Sequence, residues 1–175
     1  MAAITEILKY TLPALIVFLT AYLLIRKFLE NDQKLKKVDL MYKNEQYLLP
    51  IRLQAYERLV LFLERISPES LLMRVNRQGM TSQQLHSQLI STIRAEFEHN
   101  LSQQIYVSGE SWEVTRNARS NLIKIINEAA KSIEPESPSL KLSQTILETI
   151  IDNENTPTNV AINHIKKEIK ELFQY

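Results

Sequence analysis

Glu96, Phe97, Glu98 and His99 come closest in this chain to residue types and spacing that do chemistry. A Glu and a His three residues apart project together from one helix face. That is the Glu-x-x-His arrangement with which di-iron carboxylate bundles hold metal, and such a centre needs a second copy plus a further Glu from each of two other helices. This chain has no second copy, because Gln83 and Ala161 stand three residues before His86 and His164. The cluster therefore reads as a polar helix face. A membrane-tethered enzyme or metal-binding protein using Glu96, Glu98 and His99 is the alternative function.

Other chemistries fail on spacing. Asp152-Asn153-Glu154-Asn155-Thr156 offers oxygen ligands, but lacks the sixth-position glycine and twelfth-position glutamate of a calcium loop. The two glycines, Gly79 and Gly109, are too far apart to build a phosphate-cradling turn. There is no cysteine nucleophile and no serine in a strand-turn-helix elbow. Glu57, Arg58, Glu64 and Arg65 recur at seven residues, as on a charged helix face. The expectation is no enzyme, with no catalytic residue, cofactor, metal ligand or small-molecule substrate assigned.

The densest polar stretch is Arg94 to Tyr106. Its ordinary reading is a solvated helix surface. Its sharper reading is a partner surface formed by Arg94, Glu98, His99, Gln103 and Tyr106 with Trp112, since aromatic anchors beside Arg and amides are common at interfaces.

The elements that position these residues are helical. Apolar residues recur at three- and four-residue intervals and no segment shows a convincing period of two, so the fold class is all-α. Pro50 disfavours helix at Leu49 and predicts a boundary there. A core helix follows over Ile51–Ile66, with Tyr56, Leu59, Val60, Phe62, Leu63 and Ile66 apolar. Ser67-Pro68 starts a short helix to about Val75. Thr81 and Gln84 make a capping box for a helix to about Gln104, with Leu85, Leu89, Ile90, Ile93, Phe97 and Leu101 in a stripe. A further helix spans Glu110 to about Ile133, presenting Trp112, Ala118, Leu122, Ile123, Ile126, Ala129 and Ala130 inward. Ser139–Ile151 and a last helix after Thr156-Pro157 complete the set, the latter with Val160, Ile165, Ile169, Leu172 and Phe173 apolar. The segments EPESPS and DNENTPTN read as solvated connectors.

Ahead of these helices, Tyr10 to Ile25 carries no charge in sixteen residues and stops at Arg26-Lys27. At about 1.5 Å per residue the run spans roughly 24 Å. Ile7, Leu8, Phe28 and Leu29, with Lys9 snorkelling, extend it toward the ~30 Å hydrocarbon thickness. No basic stretch precedes it and no small-x-small site follows, so an uncleaved transmembrane anchor is expected rather than a signal peptide. No small-xxx-small pair occurs in it, so close dimerisation through the anchor is not indicated. Arg26, Lys27, Lys34, Lys36 and Lys37 follow as lipid-headgroup contacts. Their bias predicts a short N-terminus outside and a cytoplasmic C-terminal part. Three regions result: an anchor over 1–29, a helical stalk over 30–49 and a cytoplasmic helical domain over 50–175.

Lys and Arg outnumber Asp and Glu by seven to four over residues 1–43, and fall short by fourteen to sixteen over 44–175. The domain thus lacks the basic face that nucleic acid requires.

Leu53-Gln54-Ala55-Tyr56-Glu57-Arg58, Phe62-Leu63-Glu64-Arg65-Ile66 and Arg94 to Tyr106 together resemble an uncharacterised family of short bacterial proteins with one N-terminal membrane helix and a helical cytoplasmic part. The resemblance covers the anchor through about Ile133 and implies a bacterial inner-membrane setting. It transfers no activity and no site residues. The function expected is a single-pass scaffold or accessory subunit of a larger membrane complex, acting through protein contacts. A peripheral-stalk-like subunit is a second alternative, disfavoured by Pro50, Pro68, Gly79, Gly109 and Pro135, which cut the chain into short pieces.

Overall fold

The three- and four-residue periodicity resolves, in a computed structural model, into an all-α fold. The structure describes the backbone of residues 2–151 and 156–172, and the side chains among these except 2–14, 38, 41, 44, 45 and 151. In chain order the elements are α1 (Ala2–Arg65), α2 (Pro68–Val75), α3 (Ser82–Glu98), a 3-10 turn (Leu101–Ile105), α4 (Gly109–Lys131), α5 (Ser139–Ile151) and α6 (Pro157–Leu172). The chain divides into two compact units, Met1–Leu49 and Pro50–Tyr175.

The main departure from the sequence reading is α1. It runs as one helix through Pro50, where a boundary was predicted. A proline inside a helix removes one donor and crowds the carbonyl four residues earlier. Gln46 to Pro50 are all exposed, so water can take the place of that missing partner. The cut at Pro50 that weighed against a peripheral stalk is therefore absent from the backbone.

In the Pro50–Tyr175 unit, α4 packs on α3, α5 and α6, and α2 packs on α3 and α5. One apolar core unites all of them with the end of α1. Tyr56, Leu59, Phe62, Leu63 and Ile66 are at most 1% exposed, and around them close Leu71, Leu85, Leu89, Ile93, Leu122, Ile126, Leu142, Ile146 and Ile165. Each set follows the helical spacing of its own element. Leu101, the last residue of the expected α3 stripe, is exposed, as are Val160 and Leu172 among the apolar residues of α6. Phe173 lies outside the described residues.

Helix termini are closed by specific groups. Thr81 and Gln84 form the expected capping box on α3. Ser67 does not cap α2 with its side chain, because its hydroxyl donates back to the Glu64 carbonyl at 2.8 Å. α3 ends at Glu98, six residues short of the predicted end, and the chain tightens into the 3-10 turn. Gly79 has φ +84°, a left-handed conformation that reverses the chain between α2 and α3. The segment read as a solvated connector between α4 and α5 is instead pinned to the start of α3. The carbonyls of Ser137 and Pro135 accept from the Ser82 and Gln83 amides at 2.8 and 3.0 Å, satisfying donors that a helix start leaves open. The DNENTPTN segment lies mostly outside the described residues. Its Thr156 accepts from the Asn159 amide at 3.2 Å, as a cap for α6.

Neighbouring leucines on α1 test this packing. Leu63→Ala should lower unfolding free energy by about 2–5 kcal/mol, the range for emptying a packed leucine site. Leu61→Ala, at a side chain that is 56% exposed, should change it by under about 0.5 kcal/mol. Urea unfolding of the two variants gives the comparison, and equal effects would mean that the α1 face is misassigned.

Candidate functional site

Serines at the start of α4 create the most connected polar site in the bundle. Ser108 is the N-cap residue, and its hydroxyl accepts from the Ser111 amide at 3.0 Å. Both hydroxyls also donate to one oxygen of Glu168 on α6, that of Ser108 at 2.7 Å. The other Glu168 oxygen accepts from the Tyr56 hydroxyl on α1. The Tyr56 oxygen in turn accepts from the Ser108 amide at 3.1 Å. A carboxylate at a helix N-terminus also meets the positive end of the helix dipole. Burial pushes the Glu168 carboxyl upward, but the hydroxyls of Ser111, Tyr56 and Ser108 outweigh it and hold the group below the ordinary carboxylate range. Burial, and then the Glu168 carboxylate, push the Tyr56 phenol above its usual value. The knot ties α1, α4 and α6 together with all its members paired.

This arrangement binds helices rather than activating a nucleophile. A Ser-His-acid relay needs the serine to donate to an imidazole. Here both serines donate straight to the carboxylate, and the nearby His164 Nε2 stands 3.8 Å from Glu110 Oε1.

Glu96, the leading candidate ligand by sequence, is occupied. Arg65 Nη2 approaches its Oε1 at 2.6 Å and Arg74 Nη1 at 3.0 Å, while Arg74 also donates to the Arg65 carbonyl at 3.1 Å. Burial raises the Glu96 carboxyl, and the hydrogen bond and charge of Arg65, joined by Arg74, bring it below its ordinary value. Glu98 and His99 are exposed at the end of α3. Among the described residues no group of three His, Cys, Asp or Glu side chains is placed to hold a metal ion.

The six residues read as a partner surface are spread over different surroundings. Arg94 and Glu98 line a shallow cleft of about 530 Å³ with His86, Ile90 and Asn127. Gln103 is half-buried in the 3-10 turn. Tyr106 is exposed, and its carbonyl accepts from Arg52 Nε at 3.3 Å. Trp112 is half-buried and stacks on Phe97 with ring centroids 5.4 Å apart. Phe97 also meets Phe62 at 5.8 Å, and the Arg119 guanidinium lies 4.0 Å over its ring. Trp112 thus belongs to the rim of the core.

A larger groove, about 700 Å³, lies between α2 and α5. Its apolar wall includes Met73, Met80 and Leu140, with Met73 87% and Leu140 61% exposed. Its polar wall is Asn76, which donates to Ser143 at 3.1 Å and accepts from Ser139 at 2.8 Å. Sequence reasoning missed both this groove and the Glu168 knot. The Ser108-x-x-Ser111 spacing was the one local signal for the knot.

Glu168→Gln tests the knot. A neutral amide keeps the shape but weakens three donor contacts, so the variant should lose about 1–3 kcal/mol at pH 7. The folded pKa is depressed, so the carboxylate's contribution is present above the unfolded value, about 4.3, and is lost as pH falls through the lower folded value. The gap between wild type and variant should therefore narrow in urea unfolding as pH is taken from 7 to 3. A gap that stays constant would remove the charge from the account.

Neither the curated proteins nor the solved structures include a match to this chain. A family model does match, over residues 2–172, and so reaches past Ile133 through α5 and α6. The helical framework tied by Tyr56, Ser108, Ser111 and Glu168 falls within that match, and the chain belongs to a family of unknown function, DUF7935.

Proposed function

We propose that this chain is a single-pass, membrane-anchored helical scaffold or accessory subunit that acts through protein contacts. The observation that carries the reading is the character of α1 before Arg26. Leu15, Ile16, Val17, Phe18, Leu19, Tyr22, Leu23, Leu24 and Ile25 are each at least half exposed, on every side of the helix. A helix apolar all round belongs in an apolar medium, and an exposed surface of this kind in water is an association site. Among the described residues no helix is long and apolar enough to cross a membrane. The side chains of residues 10–14, which begin the run, lie outside the described set. The span is argued from the sequence Tyr10–Ile25 together with flanking Arg26, Lys27, Lys34, Lys36 and Lys37, which are exposed and suited to anionic headgroups.

The same basic bias supports a short N-terminus outside and a cytoplasmic bundle, and the resemblance noted above supports a bacterial inner membrane. On the bundle, the α2–α5 groove supports a protein partner, because exposed methionine and leucine around a cleft adapt readily to an apolar side chain. Arg94, Glu98, His99 and Tyr106 are each exposed and offer further polar contacts. A catalytic role finds no support in the paired state of Glu96 and Glu168.

Membrane isolation tests the proposal. The full chain should stay with the pellet through an alkaline carbonate wash, and a chain beginning at residue 30 should be released. Gentle solubilisation should bring down a companion at constant ratio, and Met73→Asp with Leu140→Asp should lower its yield severalfold. Release of the full chain by carbonate would overturn the anchor, and isolation of the chain with no companion would overturn the accessory role.

A further inference from the structure

From Phe28, at the end of the expected anchor, α1 continues through the stretch that carries Lys34, Lys36 and Lys37. From Phe28 to Leu49 every described side chain except half-buried Asp32 is exposed. Four of these recur at seven-residue intervals: Phe28 at 72%, Leu35 at 61%, Tyr42 at 62% and Leu49 at 37% exposed. A seven-residue apolar repeat along an unbroken helix keeps one seam facing a supercoiled partner. Numbering those four as position a places Asn31, Val38 and Glu45 at d. Lys27 and Lys34 then stand at g, and Asp32 and Asp39 at e.

We infer that this segment pairs in parallel with a second copy of the same chain. The charges select both the partner and the direction. In a parallel pair, each g residue meets the e residue of the next heptad across the seam. Lys27 then faces Asp32 of the second copy, and Lys34 faces Asp39. In an antiparallel pair like positions meet, setting Lys against Lys and Asp against Asp. Within the chain, Asp32 and Asp39 are held by Lys36 and Lys43 at 2.8 Å, on the flank away from the seam. Lys27 and Lys34 carry no intramolecular ion pair among the described residues, which leaves both g lysines available.

The opposite face offers a poorer seam. Gln33, Leu40 and Tyr47 recur there at seven, but Lys37 and Asn44 stand between them. Asn31 and Glu45 at d are polar and weaken the seam. The segment 28–49 covers about 33 Å of helix, three heptads, which favours a dimer that forms readily only at high local concentration. This inference goes beyond the anchor: all of the seam but Phe28 lies after it, and the seam pairs in detergent or in water.

The chain contains no cysteine, so single cysteines report the seam directly. Full-length protein in mild detergent, exposed to a mild oxidant, should form a disulfide dimer with Leu35→Cys and with Tyr42→Cys. Gln33→Cys and Leu40→Cys, on the opposite face, should give at least about tenfold less. The charge-reversed variant Lys27→Asp with Lys34→Asp should dissociate about tenfold more readily by light scattering. Adding Asp32→Lys and Asp39→Lys to it should restore the dimer, which loss of folding could not do. A monomer at all concentrations, stronger cross-linking at Leu40, or failure of the fourfold swap to restore pairing would each overturn the inference. None of these readouts depends on whether the chain is in a membrane, so they are separable from the carbonate and companion tests.

Discussion

The bundle depends on one packed helix face, the side of α1 that carries Tyr56, Leu59, Phe62, Leu63 and Ile66. Those side chains are buried to within 1%. Their methylenes and rings join one apolar core with residues of α2 to α6, and tertiary burial of this kind, more than helix propensity, holds helices of 8 to 23 residues in place. Phe62 extends the contact through Phe97 to Trp112. Tyr56 extends it to Glu168 and the start of α4. Arg65, at the last turn, extends it to Glu96.

Polar groups in this protein are employed to fix helices in place. Glu168 receives hydroxyls from two elements, Glu96 receives two guanidinium groups, and Asn76 bridges α2 to the two serines of α5. A carboxylate surrounded by donors is kept ionised and is a weak base. That is the opposite of what general acid-base work at neutral pH requires. Among the described residues these carboxylates fasten helices to one another.

Much of the fold was legible because it is local. The capping box Thr81/Gln84 and the stripe Leu85, Leu89, Ile93 each follow from residues a few places apart. Pro50 misled because its cost depends on surroundings: on an exposed stretch the orphaned carbonyl turns to water and the helix persists. The polar joints were not legible for a different reason. Tyr56 and Glu168 are 112 residues apart, and Arg65 and Glu96 are 31 apart, so their pairing is decided by tertiary packing. Trp112 was read both as facing inward on its helix and as a partner anchor, and it lies half-buried against Phe97.

Two hydrophobic patterns therefore occupy one helix. After Pro50 the buried apolar residues keep to one face, with Ile51 and Leu61 exposed, and over residues 15–25 apolar residues occupy every face. The second pattern is the basis for the proposed anchor, which can be tested residue by residue in membranes of expressing cells. With single cysteines at Leu19, Leu23 and Gln33 and a charged, impermeant maleimide, the account predicts reaction at Gln33 in opened membranes. Leu19 and Leu23 should stay silent until detergent is added. Labelling of Leu19 and Leu23 as fast as Gln33, without detergent, would contradict the anchor.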